Sequence, residues 1–278
     1  MDRRTLVLGA GAAAMVGASG VRRAWADAMA DAKKRGTLII GMEAAYVPYE
    51  YFQNGKIIGY DCDIASVLCD KLGVKPQFVD TAWAGIIPAL YAGKFDCIIS
   101  GMTITAARAQ KVLFSMPYAD ASNAVLARAS DSDVNSAADL SGKMVGVQLG
   151  SAAAVIIQAY AAKLKAEGKP GYAGVKQYDH YPEAYEDLVN RRTDGVVNSI
   201  SSLMVVMRDA PGQFKIVPGI SDIKAYFGMA FRDQDTALRD FANTTLAGMK
   251  TDGTLSKLQE RWFGGTMATP NTIPAVLP

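Results

Sequence analysis

Cys97-Ile98-Ile99-Ser100-Gly101-Met102-Thr103-Ile104-Thr105-Ala106-Ala107-Arg108 runs from an apolar stretch through a small, hydroxyl-rich turn toward an arginine. Cys97-Ile98-Ile99 reads as the end of a buried strand. A helix then starts, with Arg108 in its first turn. Such a turn gathers free backbone N–H groups, hydroxyls and a guanidinium. It suits a planar anion such as a carboxylate, which arginine binds bidentately and a helix start favours by its dipole. An ordinary strand-to-helix turn with a solvated arginine has the same outline, because helix starts resemble one another. The surrounding chain has to decide between the two.

Upstream, residues 37–41 form a strand that ends at Glu43, and 46–51 form an aromatic loop. Asn54-Gly55 between two apolar pairs signals a hairpin. A helix spans 61–72, with Ile64, Val67, Leu68 and Leu72 on one face. A strand follows at 77–79, then Trp83 in a loop and a short helix at 85–91. Strand–helix–strand–helix–strand is the pattern of a parallel sheet covered by helices.

Downstream, 124–127 is a strand, and a second set of units begins after a polar loop at 130–133. It comprises a strand at 144–147, a turn at Gly150-Ser151 capping a helix at 152–165, and a strand at 175–178. Pro182 suits the first residue of another helix, before a strand at 195–197 and a helix at 199–207. The tail returns to the first pattern: a strand at 226–231, a helix at 235–249 and a last helix at 255–263. Residues 270–278 are proline-rich and read as extended.

The 278 residues are 50% hydrophobic and 20% charged, which is globular composition with enough chain for two domains. The amino terminus differs. Arg3 and Arg4 precede a soft apolar run to Val21, and Ala24-Trp25-Ala26 makes a small-x-small cleavage site. Residues 1–26 therefore read as an export signal cleaved after Ala26, by the ordinary or the twin-arginine route. Its removal lowers Lys plus Arg from 29 to 25 and Asp plus Glu from 27 to 26, leaving a charge near −1. No nucleic-acid footprint remains. Cys62, Cys69 and Cys97 lie in apolar patterns as small core residues, and no Cys/His spacing suggests a metal or any cofactor. Cys62 and Cys69 would stand about 10 Å apart on one helix, too far for a bridge.

Seven motifs then fall in order: Gly41-x-Glu43-x-x-Tyr46-x-Pro48-Tyr49-Glu50; Gly59-Tyr60-Asp61-x-Asp63-Ile64; Trp83-x-Gly85-Ile86-Ile87-Pro88-Ala89-Leu90; Gly93-Lys94-Phe95-Asp96; Thr103-Ile104-Thr105-x-x-Arg108; Leu140-x-Gly142-Lys143-x-Val145-Gly146-Val147; and Met249-Lys250-x-Asp252-Gly253-Thr254-Leu255. Together they resemble the polar amino-acid family (family 3) of periplasmic solute-binding proteins that serve ABC importers. The resemblance implies an α/β clamshell of two lobes, each a mostly parallel sheet flanked by helices, joined by two hinge strands. Lobe 1 would comprise 36–121 plus 226–270, lobe 2 would comprise 122–225, and 271–278 would be an extended tail.

Carried over by position, the resemblance makes Arg108 the clamp for a ligand α-carboxylate, helped by Thr103 and by the helix start at Gly150 and Ser151. Ser100 and Gly101 match positions that accept the ligand's ammonium. Tyr46 and Trp83 match the aromatic positions flanking its side chain. Glu43 stands where the family usually has an aspartate that touches a polar or cationic side chain. Ser199, beside Asn198, replaces the usual aspartate that anchors the α-ammonium. A serine is a weaker, neutral acceptor, so the ligand's cation is expected at Glu43 or in a different place. His180 reads as a surface or helix-start residue or as one facing the cleft. Ser151 with Asp179 and His180 lacks the G-x-S-x-G elbow of a hydrolase.

The implied function is capture of an amino acid or related small zwitterion in the periplasm by a monomer, and its delivery to membrane permease subunits. The alternative is an enzyme like the cyclohexadienyl dehydratases, which resemble this family and act on arogenate or prephenate. That chemistry needs a general acid, for which Glu43 and His180 are the candidates. A sensor domain would need a transmembrane helix and a signalling module, and the chain reads as having neither.

Overall fold

A computed structural model describes residues 28–273; the export signal expected at 1–26 and residues 274–278 of the expected tail lie outside them. The chain starts with α1 (Ala28–Arg35), β1 (Thr37–Met42), β2 (Ala45–Tyr46), β3 (Glu50–Gln53), β4 (Lys56–Ile58) and α2 (Tyr60–Leu72). It continues with β5 (Lys75–Asp80), α3 (Ile86–Tyr91), β6 (Cys97–Ile98), α4 (Ala106–Ala109), β7 (Leu113–Phe114) and β8 (Ala119–Asp120). The second set is β9 (Asn123–Arg128), β10 (Met144–Gln148), α5 (Ala152–Ala166), β11 (Gly174–Tyr178), α6 (Tyr181–Val189), β12 (Gly195–Ser199), α7 (Ile200–Asp209) and β13 (Phe214–Val217). The chain closes with β14 (Tyr226–Phe227), β15 (Ala230–Phe231), α8 (Thr236–Thr251) and α9 (Thr254–Phe263).

Two five-stranded sheets result, ordered β5-β1-β6-β15-β7 and β11-β10-β12-β9-β13. In the first, β5, β1 and β6 are parallel while β15 is antiparallel to both β6 and β7. In the second, β11, β10 and β12 are parallel while β9 is antiparallel to both β12 and β13. The sheets are thus mixed, more so than the expected mostly parallel arrangement. The antiparallel halves hold the strands nearest the crossings between lobes. β7 precedes β8 and β9 follows it; β13 precedes β14 and β15 follows it. The crossing strands β8 and β14 pair with each other, Tyr226 opposite Asp120 and Phe227 opposite Ala119. The fold is a two-lobed α/β clamshell.

The sequence explains the placement of each layer. Ile64, Leu68 and Leu72 of α2 are buried against the first sheet, and the expected fourth member, Val67, is partly buried. Each such leucine or isoleucine stabilises the lobe by about 1.5–3 kcal/mol relative to an exposed side chain. Gly73 ends α2 at φ 78°, where a residue with a Cβ is strained, and its N–H returns to the carbonyls of Asp70 and Cys69. In β9, flanked by β12 and β13, every residue is buried. Cys62, Cys69 and Cys97 are buried and free, and burial pushes all three thiols up. Among the described residues no helix is long and apolar enough to cross a membrane, and no group of His, Cys, Asp and Glu could hold a metal ion.

The consequence for function lies at the carboxyl ends of the parallel strands. Glu43 follows β1 and Ser100 follows β6; Gly150 and Ser151 follow β10, and Asn198 and Ser199 end β12. These ends face each other across the lobes, where ligands of open α/β sheets usually bind.

Candidate functional site

One cavity lies between the lobes. Glu43, Tyr46, Trp83, Ser100, Gly101 and Thr103 line it from the first lobe, and Ser151, Asn198 and Ser199 from the second. Arg108 and Gly150, the remaining two expected residues, line the adjoining groove, and Trp83 faces both spaces. The lobes meet closely. Only about 30 Å³ of the cavity admits the centre of a water molecule, room for no more than a few waters. An amino acid enters only if the lobes part or the side chains between them withdraw.

Tyr46 fills much of this space. Its ring packs on Gly101, which has φ +45°; a Cβ there would lie 2.6 Å from the ring. Glycine is therefore required twice, by the backbone and by the ring. The Tyr46 hydroxyl crosses to lobe 2, donating to Asn198 Oδ1 at 3.0 Å and meeting Ser199 Oγ at 2.8 Å. Ser199 is also the N-cap of α7, its Oγ accepting from the Ser202 N–H. The Asn198 amide donates to Tyr185 Oη. The ring of Tyr46 stacks on Tyr49 at 5.1 Å and on Tyr181 of the other lobe at 5.6 Å. The expected pair of aromatic walls, Tyr46 and Trp83, is thus joined by Tyr181.

Trp83 partners Arg108 instead. The guanidinium lies over its ring at 5.0 Å, and Trp83 Nε1 donates to the Gly150 carbonyl at 3.2 Å. Arg108 donates to the Thr103 carbonyl at 3.0 Å and to the same Gly150 carbonyl at 3.1 Å. It therefore ties the turn after β6 to the turn after β10. Burial pulls its pKa down to about 10, still cationic at neutral pH. Carbonyls are weaker partners for a guanidinium than a carboxylate, so both contacts are exchangeable for an anion. The helix after Thr105 is only four residues long, and Thr105 caps it by accepting from the Arg108 N–H. Ser151 caps α5, and its hydroxyl donates to the Gln148 carbonyl.

The acids sit on lobe 1. Ser100 Oγ accepts from the Glu43 N–H at 3.0 Å and donates to Glu50 Oε1 at 2.6 Å. The Gly101 N–H donates to Asp61 Oδ2 at 2.8 Å, so it is committed to the protein. Glu43 is 2% exposed, and its carboxyl is paired with His180 Nδ1 of lobe 2. Burial pushes the Glu43 pKa up to about 7, with His180 acting against the rise, and Glu43 raises that of His180. His180 is the N-cap residue of α6, and its side chain faces the cleft, so both expectations for it meet.

Sequence reasoning missed Glu50, Gln148, Tyr181, Asn123 and Phe227 as lining residues. Glu50 was visible within the first motif, but nothing in its spacing separates an inward from an outward carboxyl. Tyr181 begins α6, and its stacking on Tyr46 depends on how the lobes meet, which no local pattern encodes.

The model of the bacterial extracellular solute-binding proteins, family 3, matches residues 38–265. The chain is 32% identical over 227 residues to the ABC transporter arginine-binding protein 1 of Escherichia coli K12, spanning 80% of this chain and 89% of that protein. Among solved structures it resembles an ancestral arginine-binding protein bound to arginine, with TM-score 0.75 and 38% identity, over 83% of this chain and 99% of the other. It also resembles an ancestral amino acid-binding protein described as a precursor of cyclohexadienyl dehydratase, with TM-score 0.73 and 35% identity, over 84% of this chain and 99% of the other.

Proposed function

The chain belongs to family 3 of the bacterial extracellular solute-binding proteins, and from that premise we propose that it captures an amino acid or related small zwitterion between its lobes and hands it to the permease of an ABC importer. The carrying observation is that residues from both lobes, expected from sequence, line one cavity. Arg108 takes the carboxylate, exchanging the Thr103 and Gly150 carbonyls for it. Ser100, Gly101 and Glu43 form the lobe-1 wall, with Tyr46 and Trp83 as aromatic walls. Ser151, Asn198 and Ser199 complete the site from lobe 2. In this reading lobe 1 comprises 36–121 plus 226–270 and lobe 2 comprises 122–225. The protein works in the periplasm as a monomer, after cleavage behind Ala26.

This is a binding protein of a transporter family, not an enzyme. A dehydratase-like activity would require Glu43 or His180 to transfer a proton to substrate, and the two are paired with each other across the lobes.

The test is a thermal-shift screen over amino acids, opine-like conjugates and small amines. A ligand at one hundred times its Kd stabilises by about 2.7 kcal/mol, worth roughly 5–10 °C in a chain of this size. A screen with no shift for any zwitterion overturns the reading. Prephenate and arogenate belong in the same panel, and neither is expected to turn over.

A further inference from the structure

Glu43 is an unusual residue to close a cleft on. It is almost wholly buried just after β1, and the charge of Asp80 acts on it. Asp80, at the end of β5, accepts from the adjacent Ala44 N–H at 2.9 Å. The Ser100 hydroxyl links Glu50 to the Glu43 backbone N–H and leaves the Glu43 carboxyl free to face lobe 2. Asp80 adds negative charge around the carboxyl. From the other lobe it meets Gln148, the Tyr181 ring end and His180. A carboxylate in such surroundings demands a cation.

His180 supplies one, on terms that make it easy to replace. It is the only histidine in the chain. Its side chain is 40% exposed while that of Glu43 is 3% exposed, so the imidazole can swing to water at little cost whereas Glu43 cannot. Its own neighbours, Glu183 and Asp179, lie on the solvent side of the same turn and also favour its charged form. On lobe 2, where an ammonium would otherwise look for an anion, Ser199 and Asn198 are neutral and already bonded to Tyr46.

We propose that His180 is a placeholder for the cationic group of the ligand: its imidazole holds Glu43, and a ligand ammonium or guanidinium takes that carboxylate over by displacing it. The inference deepens the reading of the cleft as an amino-acid site and rests on it. Displacement returns the imidazole to water, where its ordinary pKa is about 6.5. Because Glu43 raises the pKa of His180, binding of a cation near neutral pH releases a proton. Affinity for a cationic ligand therefore rises with pH, by up to tenfold per unit while one proton is exchanged.

A single histidine makes the test direct. NMR titration of the His180 imidazole, without and with L-arginine as probe, is expected to show its pKa falling toward the ordinary value when arginine is bound. Calorimetry is expected to show arginine binding more tightly at pH 8 than at pH 6, with proton release on binding. His180→Lys, a placeholder that keeps its charge, is expected to bind arginine at pH 8 about tenfold more weakly than His180→Gln, whereas a merely structural histidine would make the two variants alike. Arginine binding with an unmoved His180 titration, or with equal affinities in the two variants, overturns the placeholder while leaving the amino-acid reading intact. Absence of arginine binding at both pH values also overturns it, and the wider ligand screen then judges the amino-acid reading on its own.

Discussion

The hydroxyls of Tyr46 and Ser199 meet across the cleft at 2.8 Å, so the residue standing where an ammonium anchor is expected is bonded to the opposite lobe. Ser199 also caps α7, and aspartate caps helices as well as serine does. Ser199→Asp therefore keeps the cap and places a charge in the cavity. Calorimetry with L-arginine and L-glutamine is expected to show binding strengthened about tenfold or more, since a hydrogen bond to a charged group contributes about 1.5–3 kcal/mol. An unchanged Kd would mean that the ammonium sits elsewhere.

Arg108 bonds to the carbonyls of Thr103 and Gly150, one from each lobe, and stacks on Trp83. Arg108→Ala removes the guanidinium proposed to grip a carboxylate at the edge of the cavity. Ligand-induced thermal stabilisation is expected to vanish, because losing one partner of a desolvated charge pair costs about 2–5 kcal/mol. Arg108→Lys keeps the charge without the fork and is expected to recover only part of the shift. Full stabilisation in the alanine variant would remove the carboxylate assignment.

These two residues mark the boundary of what the sequence reveals. The placing of Arg108 in a short helix after a strand and a hydroxyl-rich turn was legible because the three follow one another within twelve residues, and the helix start is a local event. The two sets of strand–helix units were legible by hydrophobic period for the same reason. The mixed character of the sheets was not, because β7, β9, β13 and β15 take their direction from the crossings between lobes. Nor was the stacking of Tyr46 on Tyr181, nor the meeting of Glu43 with His180, residues 137 positions apart. Contacts across a cleft depend on how two bodies meet, and no periodicity carries that information.

Gly101 is held at φ +45° with the Tyr46 ring against it. Gly101→Ala adds a Cβ 2.6 Å from that ring and strains the backbone as well. Denaturant unfolding is expected to show a loss of about 1–3 kcal/mol. The displaced ring also leaves Asn198 and Ser199, so ligand affinity should change along with stability. A variant as stable as the parent would mean that Tyr46 has another resting place.

Glu50 and Asp61 make the last case, one of charge rather than shape. Both are fully buried, and Glu50 Oε2 and Asp61 Oδ1 each lack a hydrogen-bond partner, while their other oxygens are held by Ser100, Gly101 and Tyr118. Two carboxyls so placed are satisfied together by one shared proton. Burial raises both, Asp61 to about 7 and Glu50 well above the ordinary carboxylate range, the charge of Asp61 adding to the rise of Glu50. A carboxyl raised in the folded state leaves stability intact below the ordinary range, about pH 4, and takes it away as pH climbs through the raised value. Glu50→Gln keeps a donor toward Asp61 with no proton to lose. It is expected to melt a few degrees or more above the parent at pH 8, each kcal/mol being worth about 2–4 °C, with the difference closing toward pH 4. Melting curves of the two proteins at both pH values decide it: a gap independent of pH, or a less stable variant at pH 8, would mean that Glu50 is ionised in the folded protein and no proton is shared.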